Sequence, residues 1–174
     1  MTLPINLNGY RERGILQRLR ASSVSAWIIV WAQLTLALVT FVAGALLMFV
    51  VASLGYDAMV PDDVIGVAVA LVLGTAAFGA IGLVLAAVVR TSRSAQGIGL
   101  LLFFGLWLIS GTAPPRAVLP SGLRDIGGAL PLARLVTAVQ DPWFGFGWST
   151  TDLAVLAVYA FAAGAPALWF FRWY

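Results

Sequence analysis

The stretch that decides the fold is residues 96–115, QGIGLLLFFGLWLISGTAPP. It begins like a membrane helix but stays apolar only from Gly97 to Ile109, whereas a full span needs roughly 20 residues. The Ser110-Gly111 pair and the Pro114-Pro115 pair predict that the helix ends there, because proline lacks a backbone N–H and restricts the residue before it. We interpret the rest of the chain as the segments that hold this broken helix in place.

The composition is that of an integral membrane protein with little mass outside the bilayer. Of the 174 residues, 61% are hydrophobic and 10% are charged, whereas soluble domains average about 25% charged residues. The chain has no cysteine and no histidine, which excludes disulfides, thiol nucleophiles and the usual transition-metal sites. All 10 basic residues are arginine, so the lysine of a phosphate-binding loop is missing and the chain cannot be a P-loop ATPase by itself.

Four hydrophobic segments predict an all-α polytopic membrane protein. The predicted spans are residues 26–54, 64–89, 97–111 and 150–171. In the first span a lone glutamine, Gln33, is typical of a hydrogen bond between helices. The second span carries small residues at intervals of four: Gly66, Ala70, Gly74, Gly82 and Ala86. Small residues at this spacing let helix backbones approach closely, so we expect the second span to be buried among other helices.

Residues 11–20, RERGILQRLR, form the densest charge cluster. On a helical wheel Ile15, Leu16 and Leu19 share one arc and the arginines lie at its margins, which predicts an amphipathic helix at the membrane interface. Glu12 falls inside the apolar arc, so it either belongs to a preceding turn or faces a protein partner. The alternative is a basic flank that only orients the next span. Residues 1–10 show no pattern of their own.

Residues 114–142 are too apolar for a free loop and too charged and too often broken to span a membrane. Pro120 and Pro131 divide this stretch, so we expect two short re-entrant helices at the outer interface, tolerated because they pack on neighbouring helices. Aromatic residues in 143–148 predict a belt at the membrane surface. Residues 150–152 are expected to cap the last span.

The distribution of arginines predicts a cytoplasmic N-terminus. Seven of them then lie in cytoplasmic segments: Arg11, Arg13, Arg18, Arg20, Arg90, Arg93 and Arg172. Three, Arg116, Arg124 and Arg134, lie in the outer segment, where we expect them to face lipid headgroups. The aspartates lie at span ends or in loops, where helix caps and solvated turns are the usual explanation, so a membrane-embedded enzyme is a weak hypothesis.

Two motifs carry a resemblance to a known family. Residues 10–25 read YRERGILQRLRASSVS. The stretch 83–135, with Val136 directly after it, contains RTSRSAQGIGLLLFF, a proline-containing SGTAPPRAVLP and LPLARLV in that order. The first resembles the segment Y-R-E-x-G-x-L-x-R-L-R-x-[TS]-P-V-S of ABC-2 type export permeases, and the second resembles their C-terminal signature. These permeases are the membrane subunits of bacterial ATP-driven exporters, including the daunorubicin-resistance type. Ser23 stands where the family usually has proline.

The resemblance implies roles for two groups of residues. Residues 11–21 would be the coupling helix that docks into a cleft on an ATPase subunit, with the candidate contacts Arg11, Glu12, Arg13, Leu16, Arg18, Leu19 and Arg20. Residues 97–111 would be the family's fifth membrane helix, and re-entrant helices within 114–142 would close the outer end of the pathway. The candidate outer-gate residues are Gly111, Pro114, Pro115, Arg116, Leu119 and Pro120.

The resemblance also implies a function. The chain would be the permease subunit of an exporter in the bacterial plasma membrane, moving a hydrophobic or amphipathic, drug-like substrate. Its expected partners are an ABC ATPase subunit, a second permease copy and the lipid bilayer, with no nucleic acid. No cofactor is expected on this chain, since the ATPase would bind ATP. Family members have six membrane helices, so residues 1–174 are expected to be one partial domain. The alternative is a non-transporting membrane scaffold or a truncated, degenerate paralogue.

Overall fold

The computed structural model describes residues 2–13, 15, 26–56, 59–89, 91–110 and 118–170. In this part of the chain all regular structure is helical: α1 (Thr2–Glu12), α2 (Ala26–Tyr56), α3 (Val64–Val88), α4 (Ser92–Ile109), α5 (Ser121–Ala129), α6 (Pro131–Trp143) and α7 (Thr150–Phe170). Three stretches, Trp31–Tyr56 in α2, α3 and α4, are long and apolar enough to cross a membrane, and α7 contains the shorter apolar stretch Thr150–Ala165. The predicted fold class, an all-α polytopic membrane protein, is confirmed.

Helix α3 is the centre of the bundle. It packs most extensively on α7 and α6, and also on α1 and α2. The small residues spaced four apart in the sequence are all buried: Gly66, Ala70, Gly74, Gly82 and Ala86. A side chain at Gly66 would meet Pro142 and Trp148, and one at Gly74 would meet Leu135 of α6. At these two positions the absence of a side chain leaves room for side chains of α6 and of the loop that follows it.

The first helix is a feature that the sequence did not reveal. Residues 1–10 showed no pattern, yet α1 begins at Thr2 and packs against α4, α3 and α2. Its side chains Pro4, Leu7 and Asn8 are buried within the bundle. An 11-residue helix is too short to be stable alone in water, so tertiary packing holds α1 in its helical form.

The broken helix α4 begins earlier than the sequence suggested. The predicted span started at residue 97, whereas the helix starts at Ser92 because the side chain of Thr91 caps it by accepting the N–H of Ser94 at 3.2 Å. The helix ends at Ile109, directly before Ser110. Its main neighbour is α1, and its two buried residues, Ala95 and Gly99, both lie in the first half of the helix.

Residues 114–142 are called the outer stretch after their predicted location. Pro120 and Pro131 divide this stretch, and its described part forms two short helices. Pro120 precedes α5, and Pro131 is the first residue of α6, a position where its missing N–H costs nothing. At the start of α5 the N–H of Arg124 donates to the carbonyl of Pro120 at 2.9 Å. Helix α5 also comes so close to the end of α4 that a Cβ on Gly127 would collide with the carbonyl oxygen of Ile109.

We predict that Gly127→Ala destabilises the protein and separates α5 from α4. The added methyl would meet a backbone carbonyl that cannot rotate away, and overpacking of this kind costs about 1–3 kcal/mol. The measurement is the thermal unfolding midpoint of the detergent-solubilised protein.

The matched control is Gly128→Ala, one residue along the same helix, where an added Cβ meets nothing within 4 Å. Replacing glycine by alanine inside a helix normally gains up to about 1 kcal/mol, so this control is expected to be neutral or stabilising. Equal unfolding midpoints for the two variants would refute the close approach.

Candidate functional site

The predicted coupling residues fall at the end of α1 and beyond it. Arg11 and Glu12 are the last two residues of α1, and Arg13 follows in an exposed turn whose N–H donates to the carbonyl of Gly9 at 3.1 Å. The remaining candidate contacts, Leu16, Arg18, Leu19 and Arg20, lie outside the described residues. The coupling helix at 11–21 therefore stays a prediction.

Glu12 contacts the first residue of the broken helix. Its Oε1 accepts the backbone N–H of Ser92 at 2.8 Å, and its Oε2 accepts the Ser92 hydroxyl at 2.7 Å. The first N–H groups of a helix have no partner within the helix, and the helix dipole favours negative charge at that end. Glu12 thus serves as a second cap of α4 beside Thr91. This role explains why Glu12 lies inside the apolar arc of the basic segment, residues 11–20.

The two hydrogen bonds from Ser92, through its hydroxyl and then through its backbone N–H, hold the pKa of Glu12 below its usual range. The carboxylate is therefore charged at neutral pH. Because the folded pKa is lowered, the contact stabilises the fold fully above the unfolded value of about 4.3. The stabilisation disappears as the pH falls through the folded pKa.

A polar contact fixes α1 against α2 near the same end. Asn6 donates its side-chain amide to Oε1 of Gln33 at 3.2 Å, and Nε2 of Gln33 donates to the Tyr10 hydroxyl at 3.5 Å. Gln33 is buried. The hydrogen bond between helices that a lone glutamine predicted is confirmed, and its partner is the helix that the sequence did not reveal.

The predicted outer-gate residues are only partly described. Leu119 and Pro120 lie at the start of α5, where the Leu119 carbonyl accepts a hydrogen bond from Nη2 of Arg124 at 3.1 Å. Gly111, Pro114, Pro115 and Arg116 lie outside the described residues. The gate role of all six stays a prediction.

The loop before α3 is joined to the end of α6. The N–H of Asp62 donates to the carbonyl of Trp143 at 3.2 Å, and the N–H of Asp63 donates to that of Pro142 at 3.0 Å. Oδ1 of Asp63 caps α3, and its Oδ2 accepts the indole N–H of Trp148. The hydrogen bond from Trp148, followed by that from the N–H of Gly66, holds the pKa of Asp63 below its usual range.

Arg134 does not face lipid headgroups as the sequence suggested. Its Nη1 lies 2.7 Å from Oδ1 of Asp152 on α7, and Oδ2 of Asp152 accepts the Ser149 hydroxyl at 2.7 Å. Asp152 is buried, so it is neither a solvated turn residue nor an ordinary cap. A buried carboxylate needs a cation close by, and the pair thereby ties α6 to the last helix.

The contacts divide between opposite ends of α3. At its C-terminal end Leu85 and Val89 pack with Ala95 of α4, near Glu12 and Ser92. At its N-terminal end lie Asp62 and Asp63 with the end of α6. The basic residues around 11–13 and 93 thus share one end of the bundle, and α5 and the end of α6 lie at the other end.

The comparison with known families accords with this arrangement. The family described as ABC-2 type transporter matches residues 1–144, which include the basic segment, the broken helix, α5 and α6. The chain belongs to the ABC-2 type transporter family. Neither the curated proteins nor the solved structures compared with the chain give a match.

Family membership gives the class of the chain. An ABC-2 type transporter chain is a membrane subunit of an ABC transporter, and several apolar helices here give it a multi-pass membrane location. The motifs at residues 10–25 and 83–135 correctly pointed to this ABC-2 family. The pairs Glu12–Ser92 and Arg134–Asp152 were missed, because neither spacing nor periodicity shows which distant residues meet.

We predict that Arg134→Leu destabilises the protein by about 3 kcal/mol, since it leaves the buried Asp152 without its counter-ion. The figure is at the lower end for a buried pair because the Arg134 side chain is 33% exposed. The matched control is Arg124→Leu on the neighbouring helix, where an exposed arginine bonds only a carbonyl, so a change within about 0.5 kcal/mol is expected. Equal losses measured by thermal unfolding in detergent would contradict the role of the pair.

We predict that Trp148→Phe makes acid unfolding begin at a higher pH. Removing the indole donor lets the pKa of Asp63 rise towards its unfolded value of about 3.9, so its stabilising contribution is lost earlier on acidification. The measurement is helical circular dichroism during an acid titration. Trp143→Phe is the control, because the Trp143 ring packs edge-on against Phe49 and not on Asp63. Coincident curves for the two variants would rule out the hydrogen bond as the cause.

Proposed function

We propose that this chain is the permease subunit of an ATP-driven exporter, and that a separate ATPase subunit docks on its basic segment. The observation that carries the proposal is the family match, which covers the basic segment and the broken helix together. The ATPase subunit would bind and hydrolyse ATP, and its nucleotide-dependent closure would move the basic segment. The N-terminus would lie in the cytoplasm of a bacterial cell.

The placement of charge supports this orientation. Arg13 and Arg93 are exposed at the end of the bundle where Glu12 meets Ser92, while Arg124 is exposed at the other end. The acid-only loop with Asp62 and Asp63 lies with the outer stretch. A basic end facing the cytoplasm and an acidic loop facing outwards follow the positive-inside rule.

The apolar surface supports a hydrophobic or amphipathic substrate and a second permease copy. Within α4 the side chains from Leu100 to Phe104 are all exposed, and in α2 no residue from Leu34 to Tyr56 is buried. Surfaces of this kind contact lipid or another membrane chain. A pathway between two copies would be lined by such apolar and aromatic groups.

The proposal predicts that reversing the charge of the basic segment abolishes ATPase binding. The variant carries Arg13→Glu, Arg18→Glu and Arg20→Glu, which place negative charge where acidic groups of the partner would dock. The measurement is co-purification of the ATPase subunit from membranes that express both chains. Its recovery with the variant is expected to fall to background.

The matched control reverses arginines at the opposite end, with Arg116→Glu and Arg124→Glu. This control is expected to retain the ATPase subunit, since those residues lie in the outer segment. If the basic-segment variant binds as well as the parent chain, the docking assignment is wrong.

A further inference from the structure

The contact between Glu12 and Ser92 joins two segments that are 80 residues apart in the chain. Both carboxylate oxygens are used, one on the backbone N–H and one on the hydroxyl of the same residue. Two hydrogen bonds from one residue fix the direction of the carboxylate as well as its distance, and a charged acceptor makes each bond stronger than a neutral one. The end of α1 and the start of α4 therefore form one connected unit.

Helix α4 has little other support along its length. Its principal neighbour is α1, and its buried helical residues are Ala95 and Gly99, both in the first half. Its packing on α3 is slight, and it does not take part in the tight packing of α3 with α6 and α7. Helix α1 contacts α3 as well, but α3 is held mainly by α6 and α7, so a displacement of α1 moves the start of α4 more readily than it moves α3.

Glu12 lies within the basic segment, residues 11–20, directly between Arg11 and Arg13. Arg13 is the next residue, and its N–H donates to the Gly9 carbonyl, so the backbone of the last turn of α1 continues into the segment. Asn6, in the middle of α1, and Tyr10, in its last turn, hold the helix against α2 through Gln33. Movement of Arg11 or Arg13 thus reaches Glu12 directly, because the three residues are adjacent in the chain.

We propose that Glu12 is the positioning residue that transmits displacement of the basic segment to the N-terminus of α4. This inference rests on the proposed function, since an ATPase subunit must supply the displacement. The inference identifies α4 as the helix that moves and the Glu12–Ser92 contact as the place where the displacement reaches it. The hydroxyl of Ser92 is the second part of that contact.

The test follows the distance between α4 and α7 by spin labelling. The chain has no cysteine, so labels can be placed at Leu101→Cys on α4 and Val158→Cys on α7, whose side chains are 75% and 64% exposed. The labelled permease is reconstituted in lipid nanodiscs with its co-purified ATPase subunit. Inter-label distances are measured without nucleotide and with ATP and vanadate.

In the parent chain we expect trapping with ATP and vanadate to change the inter-label distance. Ser92 is not a candidate docking residue, so with Ser92→Ala the ATPase subunit still binds and the distance change is reduced. Glu12→Ala, compared in complexes that retain the ATPase subunit, loses the change. The matched control Ser94→Ala, on the same turn but without contact to Glu12, leaves the change intact. A full distance change in Glu12→Ala overturns the inference while leaving the proposed function standing. Absence of ATPase binding to the parent chain overturns both.

A second measurement guards against a folding defect in the alanine variant. Glu12→Gln keeps the shape of the side chain and one carbonyl acceptor but loses the charge. Hydrogen exchange at the Ser92 amide is expected to be about fivefold faster in Glu12→Gln, the effect of weakening one hydrogen bond. Unchanged exchange there would show that the carboxylate does not hold the start of α4, and would overturn the inference.

Discussion

The structure depends on the close approach of α3 to α6. Within a bilayer, burial of apolar surface between helices gains little, because lipid is as apolar as the side chains, so van der Waals contact and hydrogen bonds must hold the bundle. Gly66 and Gly74 permit that contact by leaving room for Pro142 and Leu135. Helices α1, α2 and α7 also pack on α3, and α5 is joined to it through α6. The position of every other described helix therefore depends on α3 directly or through one neighbour.

Polar contacts then fix the ends of the helices rather than their middles. Asp63, Asp152 and Glu12 each bind a group from a distant segment, at the start of α3, α7 and α4 respectively. This placement has a physical reason: the first N–H groups of a helix are unsatisfied, and negative charge is favoured at that end. Glu12 and Asp63 therefore serve both as helix caps and as links to a distant segment, whereas Asp152 lies in the first turn of α7 and links that helix to α6 through Arg134.

What could be predicted from the sequence was local. The small residues of α3 predicted close packing, Gln33 predicted a hydrogen bond between helices, and the proline positions agree with the start of α5 and α6. Helix α1 could not be predicted, because it is short and polar and is stabilised by the helices around it. The partner of Arg134 could not be predicted either, since two charges 18 residues apart give no periodic signal.

These contacts explain why the broken helix is the part suited to move. Its start is held by Glu12 and by the packing of Ala95, and its end is held by the close approach of Gly127 to Ile109. Between those points its surface is largely exposed, so lipid or another chain must cover it. A helix fixed at two points and free between them responds to a displacement at one end by tilting about the other. The close contact of Gly127 with Ile109 makes that end the pivot, and the tight packing of α3 with α6 and α7 does not depend on α4.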